Sequence, residues 1–240
     1  MIKHQLIEED IKRIIHVLGD EARALEGKTL LISGGSGFLG SYFVATVHAL
    51  NKIFKKPCRV ISVDNYITGS RENLIHDIKD DAITFIEGDI SKPLNNKEEL
   101  AGSVDYIVHA AGLASPFYYK KYPLETIEAA ISGSKNLLEL AREKKPTSFL
   151  FFSSSEIYGD PDPKYVPTPE TYKGYVACIG PRACYDESKR LSETLCSIYH
   201  ERFGVPVKMV RPFNVYGPGM KIDDYRVLPA FANRGLKGES

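Results

Sequence analysis

The stretch KTLLISGGSGFLG, residues 28–40, decides the fold. A short β-rich run, KTLLISG (28–34), ends in glycines, and a helix is predicted over 38–53. Gly34, Gly37 and Gly40 give a GxxGxxG spacing between strand and helix. The first glycine permits a tight turn, the second lets a pyrophosphate approach the backbone, and the third lets helix and strand pack closely. The helix start at Phe38 and Leu39 supplies unpaired N–H groups for phosphate charge. Asp64 ends the next strand, 24 residues after Gly40, where a carboxylate can bind an adenosine ribose diol. It would repel a 2′-phosphate, so NAD is favoured over NADP, with Asn65 beside it and Arg71 seven residues on. Asp89 and Ile90 end the third strand and are placed to meet the adenine. Ala110, Ala111 and Gly112 would let a dinucleotide lie close to the fourth strand. The competing reading is a turn whose small residues serve packing alone.

Further strands are predicted at 58–64, 82–89, 103–111, 147–155 and 205–213, with helices at 124–144 and 186–204. Short buried strands alternating with longer helices predict an α/β fold, a Rossmann-like doubly wound parallel sheet covered on both faces. Residues 1–27 form an N-terminal extension whose Leu6, Ile7, Ile11, Ile14, Ile15 and Leu18 mark an amphipathic helix over 4–18. It can pack on its own chain or on a partner. Residues 28–213 make the NAD-binding domain, and 214–240 are expected to begin an incomplete substrate-binding region.

The 240 residues are 43% hydrophobic, and 31 basic residues balance 31 acidic ones. This balance gives no support for nucleic-acid binding. No run approaches the length of a membrane span, and the charged N-terminus lacks an apolar signal core. Cys58, Cys178, Cys184 and Cys196 contain no CxxC pair and read as reduced thiols of a cytoplasmic protein. His109 reads as a packed or backbone-bound histidine, and no metal site is expected. The Pro-, Gly- and Tyr-rich segment 158–181 is too long for an idle connection and is expected to be a binding loop.

The chemistry is sought in SSSEIYG (153–159), at the end of the fifth strand, and ACYDESKR (183–190). Open parallel sheets bind ligands at this strand edge, so Ser154, Ser155 and Glu156 would share a crevice with Tyr185 and Lys189. A phenol has a reference pKa of about 10. A nearby ammonium and a nicotinamide cation would stabilise its phenolate and make it a usable base. Serines capping a turn and an ordinary pair on one helix face are the bland alternatives.

These residues resemble the extended short-chain dehydrogenase/reductase superfamily through GGSGFLG, Asp64, HAAG (109–112) and Tyr185-x-x-x-Lys189. Within it the chain is most similar to the UDP-glucuronate decarboxylases (UDP-xylose synthases). The stretches that carry this are DNYITGSRENL (64–74), ASPFYY (114–119), SSSEIYGDP (153–161), IGPRACYDESKR (179–190) and RPFNVYGPGM (211–220). The resemblance implies bound NAD, with Tyr185 taking the proton of the sugar 4-hydroxyl as hydride leaves C4. A 4-keto sugar then loses carbon dioxide as a β-keto acid does, and return of the hydride gives UDP-xylose. Lys189 would lower the Tyr185 pKa, Ser154 would bind the reacting hydroxyl, and Ser155 and Glu156 would serve the carboxylate region and proton movement. Ser115 and Asn214 are implied to bind substrate, Asn214 at the diphosphate, and Arg182 mainly to hold its loop. A homodimer through helices 124–144 and 186–204 is implied as well. Ala177 and Cys178 depart from a usual asparagine–proline pair, and the family arginine near the substrate carboxylate would lie beyond residue 240. Three alternatives stay open: a nucleotide-sugar 4,6-dehydratase, a 4-epimerase, or a protein that binds NAD and nucleotide sugar with little turnover.

Overall fold

The computed structural model describes residues 2–70, 78–94, 98–221, 224 and 226–238, with side chains described from residue 5. Arg71 lies outside the described residues. Six parallel strands form one sheet: β1 (Thr29–Ser33), β2 (Arg59–Asp64), β3 (Ile83–Glu87), β4 (Tyr106–His109), β5 (Ser148–Phe152) and β6 (Val207–Val210). Their order is β3-β2-β1-β4-β5-β6. The chain therefore leaves β1 in one direction to build β2 and β3, then crosses back to lay β4 on the other side. The connections diverge at the C-terminal ends of β1 and β4, which opens the crevice where such sheets bind ligands.

The described helices are α1 (Ile2–Leu18), α2 (Phe38–Asn51), α3 (Pro116–Lys121), α4 (Pro123–Lys144), α5 (Ala183–Phe203) and α6 (Val227–Lys237), of which α2 covers one face of the sheet and α4 and α5 the other. Strand side chains alternate between faces, and two cores follow from that. Leu31, Ile61, Ile107, Phe149 and Phe151 meet Leu137 and Leu138 of α4 and Cys196 of α5. Leu30, Ile32, Val60 and Val108 meet Val44 and Val47 of α2. Both faces being covered explains why β1 is buried along its whole length.

The N-terminal helix packs on α2 of its own chain, burying Ile11. α5 begins at Ala183, three residues before the helix predicted from the sequence, because the Arg182 carbonyl already accepts from the Tyr185 and Asp186 N–H groups at 2.9 and 3.0 Å. β6 is shorter than the run 205–213, since Pro206 and Pro212 bracket it and have no N–H to give a ladder. Among the described residues no helix is long and apolar enough to cross a membrane. The four cysteines are free, Cys58 and Cys196 buried and Cys178 exposed.

Candidate active site

The glycine turn is built by contacts that leave no room for side chains. Gly34 has φ +76°, and a Cβ there would stand 2.7 Å from the Ala111 backbone. A Cβ on Gly40 would lie 2.0 Å from the Gly34 carbonyl oxygen, so the third glycine is what lets α2 pack on the turn. Gly37 caps α2 with extended backbone and borders the cavity. Gly35 is a fourth fixed position that the spacing did not single out, for its Cβ would meet Ser62 Oγ at 2.1 Å.

Asp64 ends β2 beside this turn. Its carboxylate accepts from the Ser36 N–H at 3.0 Å and the Tyr66 N–H at 2.9 Å. Burial lifts its pKa, and those two donors with the Asn65 N–H oppose the rise. A carboxylate has roughly four acceptor positions, so capacity for a hydroxyl donor remains. The Asn65 side chain accepts from the Ile67 N–H at 3.1 Å and faces outward. Asp89 is turned to its own backbone, accepting from the Ser91 N–H at 2.9 Å, and Ile90 is buried in the core against α4.

A cavity of about 660 Å³ runs from the glycine turn to the ends of β4, β5 and β6. Gly34, Gly37, Phe38, Leu39, Gly40, Ala110, Gly112, Ser115, Ser154, Ser155, Glu156, Arg182, Tyr185, Lys189 and Asn214 all line it. Asp64, Asn65, Asp89, Ile90 and Ala111 are not among its lining residues. The strand-end serines and the α5 pair thus share one crevice with the turn.

Ser154 caps a 3-10 turn (Ser155–Tyr158), accepting from the Glu156 N–H at 3.2 Å, and its hydroxyl acts on the Tyr185 phenol. Tyr185 is buried in the first turn of α5, and its ring stacks on Tyr119 with centroids 5.3 Å apart. Burial is the largest influence on the phenol and lifts its pKa above the ordinary value, while the Ser154 hydroxyl and Arg226 pull it down. Lys189 is buried one turn further, with its Nζ donating to the Phe152 carbonyl at 2.7 Å and standing 5.9 Å from the Tyr185 ring centroid. Desolvation brings its pKa down to about 8. The groups that pull the Tyr185 pKa down here are Ser154 and Arg226 rather than Lys189, and burial outweighs them.

Arg182 pairs with Glu156 and reaches Asp186 at 3.6 Å, which ties the loop before α5 to the turn after β5. The Ser115 hydroxyl is buried on the cavity wall with no partner among the described residues, whereas Asn214 is exposed. His109 is buried, with its Nδ1 2.8 Å from Ser33 Oγ on the neighbouring strand, and desolvation brings its pKa down to about 3. It bonds a side chain rather than backbone. Among the described residues no group of three or more His, Cys, Asp or Glu could hold a metal ion.

The sequence reading passed over Tyr119 and Arg226. Tyr119 sits on α3, whose signal was present as Ser115 followed by Pro116, an N-cap and first-turn proline. Arg226, held by Asp224 at 2.7 Å, lines the cavity from the start of α6 and acts on Tyr185 electrostatically. Only the folded chain brings it there.

Residues 30–240 match the NAD dependent epimerase/dehydratase family. The chain belongs to that family. Within it, the chain is 42% identical over 212 residues to UDP-glucuronic acid decarboxylase 3 of Arabidopsis thaliana, covering 88% of this chain and 58% of the relative. It is 40% identical over 212 residues to UDP-glucuronic acid decarboxylase 1 of Xenopus tropicalis, covering 88% and 47%. The chain thus spans about half the length of these curated relatives. Among solved structures it is similar to UDP-N-acetylglucosamine 4-epimerase from Methanobrevibacter ruminantium M1, in complex with UDP-N-acetylmuramic acid. That match has TM-score 0.73 and 27% identity over 90% of this chain and 64% of the other. It is also similar to DesIV, a dTDP-glucose 4,6-dehydratase from Streptomyces venezuelae with NAD bound, at TM-score 0.72 and 28% identity over 88% and 62%.

Proposed function

We propose that this chain carries the NAD site and the catalytic Tyr–Lys pair of an enzyme that converts UDP-glucuronate to UDP-xylose through a 4-keto sugar. The observation that carries the reading is the single cavity joining the bare-backbone glycine turn to Ser154, Tyr185 and Lys189. The residues fit a dinucleotide. Gly34 and Gly40 exclude side chains, Gly37 exposes backbone to the cavity, and Asp64 keeps acceptor capacity for a ribose hydroxyl. When bound, NAD supplies a hydride acceptor for the sugar C4 and a cationic ring near Tyr185.

The chain's own residues then have defined tasks. Ser154 orients the sugar 4-hydroxyl toward Tyr185, which lines the same cavity. Tyr185 takes that proton, at the positive end of α5, where the helix dipole favours a phenolate. Lys189 holds the nicotinamide ribose and adds positive charge behind the phenol. Arg182 keeps Glu156 in place, so Glu156 and Ser155 face the sugar carboxylate from a fixed turn. Ser115 offers its unpartnered hydroxyl to the sugar, and Asn214 reaches the diphosphate. Loss of carbon dioxide at the 4-keto stage needs no metal, because the ketone takes the electron pair. Identity to two named decarboxylases supports this reading over water loss. Leu191 and Ile198 of α5 and Leu124 of α4 are exposed apolar residues that fit a homodimer seam.

The decisive experiment incubates the purified protein with UDP-glucuronate and NAD and follows products by mass spectrometry. A UDP-pentose with release of carbon dioxide is expected. Water loss from dTDP-glucose or GDP-mannose, or an epimerised sugar that keeps its carboxylate, overturns the assignment in favour of the dehydratase or epimerase reading.

A further inference from the structure

The Tyr42 hydroxyl, on α2, faces two acceptors at once. Asp10 Oδ2, on α1, is 3.0 Å away, and the Pro218 carbonyl is also 3.0 Å away. Pro218 belongs to the segment 213–221, whose Tyr216, Gly219, Met220 and Lys221 line the cavity. The Tyr42 ring stands edge-on to Phe38, centroids 5.9 Å apart, and Phe38 also lines the cavity. Tyr42 is thus the point where the N-terminal helix, the cofactor-side helix and the C-terminal cavity wall meet.

A phenol has one proton to donate. Tyr42 keeps that proton, since burial and the Asp10 carboxylate both lift its pKa. It can satisfy one acceptor fully or share between two, and a charged carboxylate is the stronger competitor. Asp10 lies outside residues 30–240, the part matched by the family. The competitor therefore comes from a segment whose role the family match leaves unassigned.

We propose that Asp10 and Tyr42 are a positioning pair through which α1 sets how firmly the 213–221 wall of the cavity is held, by competing with the Pro218 carbonyl for one proton. Tyr42 bound to Pro218 fixes the wall, and Tyr42 drawn to Asp10 loosens it. The functional consequence rests on the reading that this cavity binds the nucleotide sugar; the mechanical one does not.

Hydrogen exchange followed by mass spectrometry on the whole chain separates the two. Tyr42→Phe keeps the ring and removes the proton, so amides in 213–221 should exchange about fivefold faster, the effect of one neutral hydrogen bond. Asp10→Asn can donate its amide to the Tyr42 oxygen and releases the proton to Pro218, so the same amides should exchange about threefold more slowly. Opposite signs are the signature, because a merely structural contact would loosen in both variants. Amides of β1 and β4 at wild-type protection confirm that each variant is folded. Wild-type exchange in Tyr42→Phe, or no slowing in Asp10→Asn, overturns the pair. In steady-state assays with UDP-glucuronate, KM should rise in Tyr42→Phe and fall in Asp10→Asn with kcat held within about twofold. No turnover by the wild type would count against the proposed reaction and leave the exchange result to judge the pair.

Discussion

Lys189 is a buried cation that donates to the Phe152 carbonyl, and its pKa falls from 10.5 to about 8 by desolvation. The folded state therefore binds its proton more weakly than the unfolded chain. Below pH 8 both states are protonated and the folded protein carries the burial penalty. Between pH 8 and 10.5 the folded state gives up the proton first, and stability rises with pH. The shift corresponds to about 3 kcal/mol. In urea unfolding, wild type should gain roughly that much relative to Lys189→Met between pH 7.5 and 10.5. A gap that stays constant over this range would show the ammonium to be solvated. Tyr185→Phe, by contrast, should abolish turnover with NAD affinity within about threefold of wild type, since only the proton-transferring oxygen is lost. Loss of NAD binding as the main effect would make Tyr185 a structural residue. The Tyr185–Lys189 pair drew attention by its spacing of four together with the strand-end serines and the glycine turn, since that spacing on a helix also describes an ordinary surface pair. The Ser33–His109 bond and the Tyr119–Tyr185 stack were not legible, since strand register and the approach of α3 to α5 join residues 76 and 66 positions apart.

At the level of elements, strands and most helices could be read from alternation of short apolar runs with amphipathic ones. The ends were less legible. DESKR looked like a helix start, yet α5 opens at Ala183, which moves Tyr185 from the approach into the first turn, beside the dipole. The six-residue α3 is too short to show periodicity, and only Ser115-Pro116 marked it. The glycine turn is a tightly constrained junction. Gly40→Ala would set a methyl 2.0 Å from a backbone oxygen, whereas Gly37→Ala would meet the same atom at 3.2 Å. Backbone on both sides cannot yield as a side chain can, so Gly40→Ala should cost about 3 kcal/mol and lower Tm by roughly 6–12 °C, with Gly37→Ala under half of that. Equal Tm values in thermal scans would contradict this packing. The long segment 158–181 is pinned at its start and in its middle. Arg211 makes two bonds to Glu193, at 2.9 and 2.7 Å, and also holds the Glu170 carbonyl and Tyr158. Arg190 bridges the Ile157 and Lys173 carbonyls at 3.0 Å. Arg211→Ala should speed limited proteolysis within this segment several-fold while leaving cleavage elsewhere unchanged. Uniform acceleration would instead report global destabilisation.

The sheet order places two half-molecules side by side at one edge. β1, β2 and β3 contribute the glycine turn and Asp64, and β4, β5 and β6 lead to Ser154 and the wall at 213–221. A dinucleotide spanning both halves would couple them, because each would have to be folded for it to bind. Ligand at 100 times its Kd stabilises the native state by about 2.7 kcal/mol. For a chain of this size that is roughly 5–10 °C in Tm. Asp64 lies off the wall of the main cavity, yet it is bonded to the turn through the Ser36 N–H, so its removal tests the adenosine end alone. Thermal scans with NAD should show the full shift for wild type and less than half of it for Asp64→Ala. The 2′-phosphate of NADP should give wild type a smaller shift than NAD at equal concentration, since the carboxylate repels it. In Asp64→Ala that repulsion is gone, and the difference between the two cofactors should narrow to within about 1 °C. A wild-type preference for NADP, or an Asp64→Ala variant that keeps the full NAD shift, would place the ribose elsewhere and detach Asp64 from the cofactor.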